Sequence, residues 1–98
     1  MKKKITTIKV GPVRYQIRPH PISQDEDCTG RCHPARAIIE VDSRLPEDVY
    51  RQVLMHEICH AISFDRSLRL SEKNTDGLAN AVIQVMRDNP ALVKFILK

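Results

Sequence analysis

The side chains with the clearest capacity for chemistry lie in residues 54–62, which contain the pattern HExxH. On a helix, His56 and His60 project about 40° apart, so their imidazoles can converge on one zinc ion. Glu57 lies near the open face of such a metal, where its carboxylate can accept a proton from zinc-bound water. The pattern predicts a zinc site with Glu57 as general base, against the alternative of two ordinary histidines on an exposed helix face.

A third protein ligand has to come from elsewhere in the chain, since a catalytic zinc keeps three protein ligands and one open position. Two acids, Glu72 and Asp76, lie four residues apart on one face of a second predicted helix, and the small Ala79 continues that face. If Glu72 binds the metal, Asp76 can accept a hydrogen bond from the outer nitrogen of a ligating histidine. The reverse assignment, with Asp76 as ligand and Glu72 as a solvated acid in the first turn, stays open on the residues alone.

The HExxH pattern falls inside a helix predicted over residues 46–63. Pro46 suits the first helical position, and the two acids after it favour the positive end of the helix dipole. One apolar stripe runs along this helix, formed by Leu54, Ile58, Ala61 and Ile62. Because most of the circumference is apolar, we expect this helix to be the central element of the fold.

A second helix is predicted over residues 72–88, after Ser71 as N-cap. Its positions Leu78, Val82 and Val85 are expected to face the core. The loop at 65–70 is short but can turn the second helix back against the first. Beyond Asn89 and Pro90, residues 91–98 are expected to add a last turn or a docked tail.

The strands are predicted in the first half of the chain. Alternating apolar and polar residues on both sides of the Gly-Pro pair at 11–12 predict a β-hairpin over 5–18. The Pro-His-Pro run at 19–21 is expected to end the second strand, and the polar stretch up to residue 34 to form a loop. A β-branched run at 37–41 predicts one further short strand. The expected fold is a single α+β domain over residues 1–98, with about three strands packed on two helices and zinc between the helices.

Composition excludes several classes of function. The chain has 98 residues and a formal charge of +4, but the basic residues are scattered among acids and aromatic residues make up 4%. Nothing resembles the interleaved basic and aromatic pattern that stacks nucleic-acid bases, so no nucleic-acid partner is expected. No apolar run is long enough for a membrane span or a signal peptide, so a cytoplasmic location without membrane association is predicted.

The three cysteines are Cys28, Cys32 and Cys59. An odd number without an export signal favours free thiols or metal ligands in a reducing compartment. The segment CxxxCH at 28–33 has no second cysteine pair to complete a structural zinc site, and a structural loop is favoured. A further possibility is that a thiol of this loop binds the catalytic zinc in a latent form. Cys59 is expected to pack between helices as a small apolar residue.

Substrate binding has two candidate features. An extended peptide commonly pairs with an exposed sheet edge, and the strand at 38–41 is the natural candidate, against the alternative of an internal strand with both edges occupied. A donor to the oxyanion of the reaction is also needed. The spacing does not choose among five candidates: Tyr15, Tyr50, His20, His33 and Arg36.

Residues 54–62 and 71–79 together resemble the active-site signature of gluzincin metallopeptidases, in which HExxH is followed by a glutamate helix. The resemblance implies that Glu72 is the third zinc ligand and that Asp76 orients a ligand histidine. Thr75 and Cys59 depart from the alanine and glycine frequent in such motifs. The small size, the hairpin and the residues at 84–90 are similar to phage-borne ImmA/IrrE-like proteins and to minigluzincins, over residues 36–90.

This resemblance implies a zincin-like fold and a zinc-dependent peptidase that acts on a peptide or protein substrate. The alternative is a non-catalytic, zinc-stabilised interaction module, because a structural metal helps a small core to fold. A fourth ligand from Cys28, Cys32 or the C-terminal tail would favour that module. A nucleic-acid-binding regulator is a third and weaker hypothesis, since only the net charge suggests it.

Overall fold

The computed structural model describes residues 5–22 and 28–98, which form one sheet and three helices. The strands are β1 (Thr7–Val10), β2 (Val13–His20), β3 (Gly30–His33) and β4 (Ile38–Asp42), and the helices are α1 (Glu47–Arg66), α2 (Glu72–Asp88) and α3 (Pro90–Ile96), with a short 3-10 turn at Pro34–Arg36. The predicted α+β class is confirmed. No helix in the described ranges is both long and apolar enough to cross a bilayer.

The sheet has four strands in the order β1-β2-β4-β3, so the prediction of about three strands is wrong. The additional strand is β3, in a stretch expected to be a loop. It pairs antiparallel with β4, with Cys32 opposite Ile39 and Arg31 opposite Glu40. Strand preference depends more on neighbours than on intrinsic propensity, so a short polar segment becomes a strand where a buried partner offers its edge.

Strand β2 also continues further than predicted, through Pro19 to His20. From Gln16 to His20, β2 pairs in parallel with β4. This pairing outweighs the weak strand preference of proline, because strand formation depends on neighbouring strands more than on intrinsic propensity. Strand β2 therefore ends at His20, opposite Asp42 at the end of β4, and not at the predicted stop at Pro19.

The turn between β1 and β2 lies where the sequence predicts it. Gly11 has φ +57°, a left-handed conformation that glycine adopts without steric cost. A Cβ at Gly11 would also collide with the carboxylate of Asp65, near the end of α1. The glycine therefore lets the hairpin turn approach the central helix.

The core lies between one face of the sheet and α1. Its buried side chains are Val10, Tyr15, Ile17, Ile39, Val41 and Ala61. Helix α1 begins at Glu47, one residue after the predicted start, with Pro46 as its N-cap, and runs three residues past the expected end, to Arg66. Leu54 and Ile58 pack against the core as expected, but Ile62 is exposed. The buried residues of α1 are Glu57, Cys59 and Ala61. The glutamate of the HExxH pattern, Glu57, is therefore buried.

Helix α2 has the predicted bounds, and its predicted cap is confirmed: the Ser71 hydroxyl accepts a hydrogen bond from the Asn74 backbone N–H at 3.0 Å. The predicted core face of α2 is only partly right. Leu78 and Val85 are exposed, whereas Thr75 and Ala79 are fully buried. Small side chains at the contact allow the close approach of α1 and α2, and the larger apolar residues of α2 lie beside the contact.

Candidate metal centre

Helices α1 and α2 bring His56, His60 and Glu72 to one point. The two Nε2 atoms lie 3.1 Å apart. Glu72 places one carboxylate oxygen 2.9 Å from Nε2 of His56 and the other 3.0 Å from Nε2 of His60. The three residues predicted as metal ligands are therefore neighbours, although His60 and Glu72 are 12 positions apart in the sequence.

This donor set fits a divalent metal such as zinc. Zinc accepts imidazole nitrogen and carboxylate oxygen at about 2.0–2.2 Å, which separates ligands around a tetrahedral ion by roughly 3.3–3.5 Å. The ligand atoms here are separated by 2.9–3.1 Å, close to that spacing. His56, Glu57 and His60 also offer potential ligand atoms within 4.8 Å of one another, so this group can hold a metal ion.

Asp76 contacts the other ring nitrogen of His56. Its Oδ1 lies 3.3 Å from Nδ1, and Asn80 donates to the second carboxylate oxygen at 3.5 Å. A carboxylate acceptor at Nδ1 fixes the ring orientation and leaves Nε2 directed at the ligand cluster. Of the two assignments open in the sequence, the geometry matches Glu72 at the cluster and Asp76 behind His56.

Glu57 differs from the other acids of the site because it is only 6% exposed. Burial raises the pKa of its carboxyl to about 7; His56 and His33 lower it, and Glu72 raises it. A carboxyl group with a pKa near neutrality can both take up and release a proton at physiological pH. Burial under β3 thus gives Glu57 the property that a general base needs.

A cavity of about 900 Å³ opens over this cluster, between the segment at 28–34 and the two long helices. Its walls include Phe64 and Gln52 of α1 and the five acids and histidines of the candidate site, which are His56, Glu57, His60, Glu72 and Asp76. The cavity is large enough for several residues of an extended chain. The cavity therefore borders both the cluster of His56, His60 and Glu72 and the edge strand β3.

The sequence prediction of the substrate-binding edge is wrong. Strand β4, which contains residues 38–41, is paired on both sides, with β2 and with β3. Among the described strands, β3 is the edge strand next to the cavity, and the sequence did not predict it because residues 30–33 are few and polar. No periodic signal marks such a short strand; only its pairing with β4 defines it.

Gly30 is a second feature that the sequence analysis missed. A Cβ at this position would lie 2.7 Å from a Val53 methyl, 3.1 Å from the Glu40 carbonyl and 3.2 Å from Cγ of Glu57. The glycine thus allows β3 to pass close to Glu57. Close backbone approach is one of the few reasons for a glycine inside a strand.

We therefore expect Gly30→Ala to lower the free energy of unfolding by about 1–3 kcal/mol, because it overpacks the contact between β3 and α1. The same variant should reduce any hydrolytic activity, because the added methyl pushes on the Glu57 side chain. Urea unfolding and activity measure the two effects.

Gly77→Ala is the matched control for this prediction. Nothing lies within 4 Å of a Cβ at Gly77, an exposed position inside α2. That variant should instead raise the free energy of unfolding by about 0.5–1 kcal/mol, the difference in helix preference between glycine and alanine. Equal effects of the two substitutions would contradict the role given to Gly30.

The three cysteines are free thiols. Cys32 faces the cavity side of β3, and burial, together with the nearby Glu57 charge, raises its pKa to about 11. Cys28 is exposed, and Cys59 is buried, as expected for a small apolar residue between helices. Among the described residues, no cysteine belongs to the metal-ligating group, so the geometry offers no support for a latent zinc–thiolate site.

The five candidate oxyanion donors do not converge on the cluster. Tyr15 is buried in the core, and only His33 lines the cavity. His33 and His20 both donate through Nε2 to the Glu40 carboxylate, at 2.9 and 2.7 Å. These hydrogen bonds, His33 first, hold the pKa of Glu40 below its usual value.

No family model, curated protein or solved structure matches this chain, so the description of the site rests on its own residues and their geometry.

Proposed function

We propose that this protein is a zinc-dependent peptidase with a zincin-like arrangement of sheet and helices. The observation that carries the proposal is the convergence of His56, His60 and Glu72 beside the buried carboxyl of Glu57. Two imidazoles and one carboxylate are a ligand set of catalytic zinc, which keeps a position open for water or substrate. The fourth side chain near the histidines is the buried Glu57, and no described cysteine joins this group, which supports a hydrolytic site over a closed structural one.

When bound, zinc supplies Lewis-acid chemistry, because it acidifies water and polarises a carbonyl group. Glu57 accepts the proton of the attacking water on its carboxylate and delivers it to the amine that leaves when the peptide bond breaks. Asp76 holds the ring of His56 in place through Nδ1. The buried position of Glu57 excludes bulk water from the proton that it carries.

The substrate proposed is an extended peptide or protein segment. The exposed edge of β3 can pair with a peptide backbone through main-chain hydrogen bonds, which bind any sequence in extended form. That edge borders the same cavity as His56 and Glu57. A peptide paired there would lie beside β3 along the same cavity, where Gly30 keeps the strand close to Glu57.

The test is to measure metal content and hydrolysis together. The purified protein is expected to bind one equivalent of zinc, to lose it to a chelator, and to cleave members of a mixed peptide library only when zinc is restored. Mass spectrometry identifies the cleaved bonds. Zinc binding without any cleavage would instead favour the zinc-stabilised interaction module, and absence of zinc binding would exclude both functions.

A further inference from the structure

Helices α2 and α3 carry an apolar surface that their own chain leaves uncovered. It consists of Leu78, Val85 and Met86 on α2 and of Leu92, Phe95, Ile96 and Leu97 on and next to α3. These side chains are between 40% exposed, at Val85, and 78% exposed, at Leu97. We call this set the α2/α3 surface. It does not include His56, His60 or Glu72, and it shares no residue with the cavity.

Helix α3 packs little of its surface against the described part of the chain. It has seven residues, PALVKFI, and none of them is buried. An isolated helix of this length is unstable in water, because a few hydrogen bonds do not offset the cost of nucleation. Helices gain most of their stability from packing an apolar face against a partner, so α3 requires a surface that covers Phe95 and Ile96.

The apolar face of α2 is the matching surface, but α3 cannot reach it within one chain. Asn89 is both the C-cap of α2 and the N-cap of α3, so a single residue connects the two helices. One residue is too short to fold α3 back beside Leu78 and Val85, because antiparallel neighbours need a loop of about two to eight residues. The α3 of a second copy has no such restriction, and a short hinge favours exchange of an element between copies.

The area agrees with pairing of two copies. A stable interface buries about 800 Å² on each partner. At roughly 100 Å² of exposed surface each, the seven large apolar side chains of the α2/α3 surface supply about that area. So much exposed apolar surface on two consecutive helices is typical of an interaction site.

We propose that two copies of this chain form a symmetric dimer in which α3 of each copy packs on the apolar face of α2 of the other. The pairing is reciprocal, so each copy contributes the same residues to both contacts. The metal cluster and its cavity lie outside the interface. The dimer is therefore independent of the proposed peptidase activity.

The test uses opposite charges placed on the two sides of the contact. The wild-type protein is expected to sediment as a dimer at micromolar concentration. Val85→Glu and Ile96→Lys, each alone, should weaken dimerisation by on the order of 10-fold or more, because both contacts of a homodimer then bury an unpaired charge. Gln84→Lys, which puts a charge on the water-facing side of α2, is the control and should leave the dimer unchanged.

Mixing the two charged variants tests the reciprocal geometry. A heterodimer of Val85→Glu with Ile96→Lys has one unaltered contact and one Glu–Lys pair, so native mass spectrometry should find a heterodimer more stable than either homodimer. This rescue also shows that both variants are folded. A monomeric wild-type protein would overturn the proposal and indicate a different protein as the occupant. Failure of the mixture to recover dimers would overturn the exchange of α3.

Discussion

Replacement of Glu57 by glutamine is expected to lower kcat for peptide hydrolysis by about 10²- to 10⁴-fold, the usual contribution of a positioned general base. Glutamine has nearly the same shape as glutamate, but its amide cannot take up a proton. Zinc content should stay at the wild-type value, because the ligand atoms of His56, His60 and Glu72 remain in place. Activity assays and metal analysis on the same sample give both quantities.

The matched control is Glu47→Gln. Glu47 belongs to the same helix but lies in its first turn, where it pairs with Arg51 and does not line the cavity. That substitution should leave kcat within about two-fold, since surface ion pairs of this kind contribute little. The peptidase hypothesis would lose its central residue if Glu57→Gln and Glu47→Gln hydrolysed peptides equally well.

Replacement of Glu72 by alanine is expected to abolish stoichiometric zinc binding and, with it, all hydrolysis. Among the described residues, the variant removes the one carboxylate whose oxygens contact both histidines, at 2.9 and 3.0 Å from their Nε2 atoms. Two imidazoles alone do not complete the three protein ligands of a catalytic zinc site. Titration of the apo protein with zinc in competition with a coloured chelator measures the loss.

Asp76→Ala separates a ligand from a group that orients a ligand. Because Asp76 contacts Nδ1 of His56 and not the cluster itself, its loss should weaken zinc binding by about 10- to 100-fold without abolishing it. Asp88→Asn, at the far end of α2, is the control with no expected effect on zinc. If Asp76→Ala lost zinc and Glu72→Ala kept it, the assignment of the two acids would have to be exchanged.

The local elements were largely predictable because their signals are local. The bounds of α2 follow from Ser71 as N-cap and from the Asn-Pro pair after Asp88, and the hairpin follows from alternation around Gly11. The exposed α2/α3 surface could not be predicted. Leu78 and Val85 have the spacing of core residues, and periodicity shows that a face is apolar without showing what covers it.

The candidate site, too, was predictable from the sequence only in part. The spacing of His56, Glu57 and His60 follows from helical periodicity, which is a property of sequence. The buried state of Glu57, and with it the shift of its pKa to about 7, depends on β3 passing over α1 at Gly30. Strand β3 forms through its pairing with β4, so no local sequence pattern predicts it.

The sequence by itself determined which side chains can bind a metal and which helices carry them, because ligand chemistry and helical spacing act over a few residues. Only the tertiary structure decided that Glu72 contacts both histidines while Asp76 contacts His56 from behind, since the two acids occupy equivalent positions one helical turn apart. The choice depends on the depth at which α2 packs on α1. The small buried side chains of Thr75 and Ala79 set that depth, and packing between distant segments is not written in the spacing of either one.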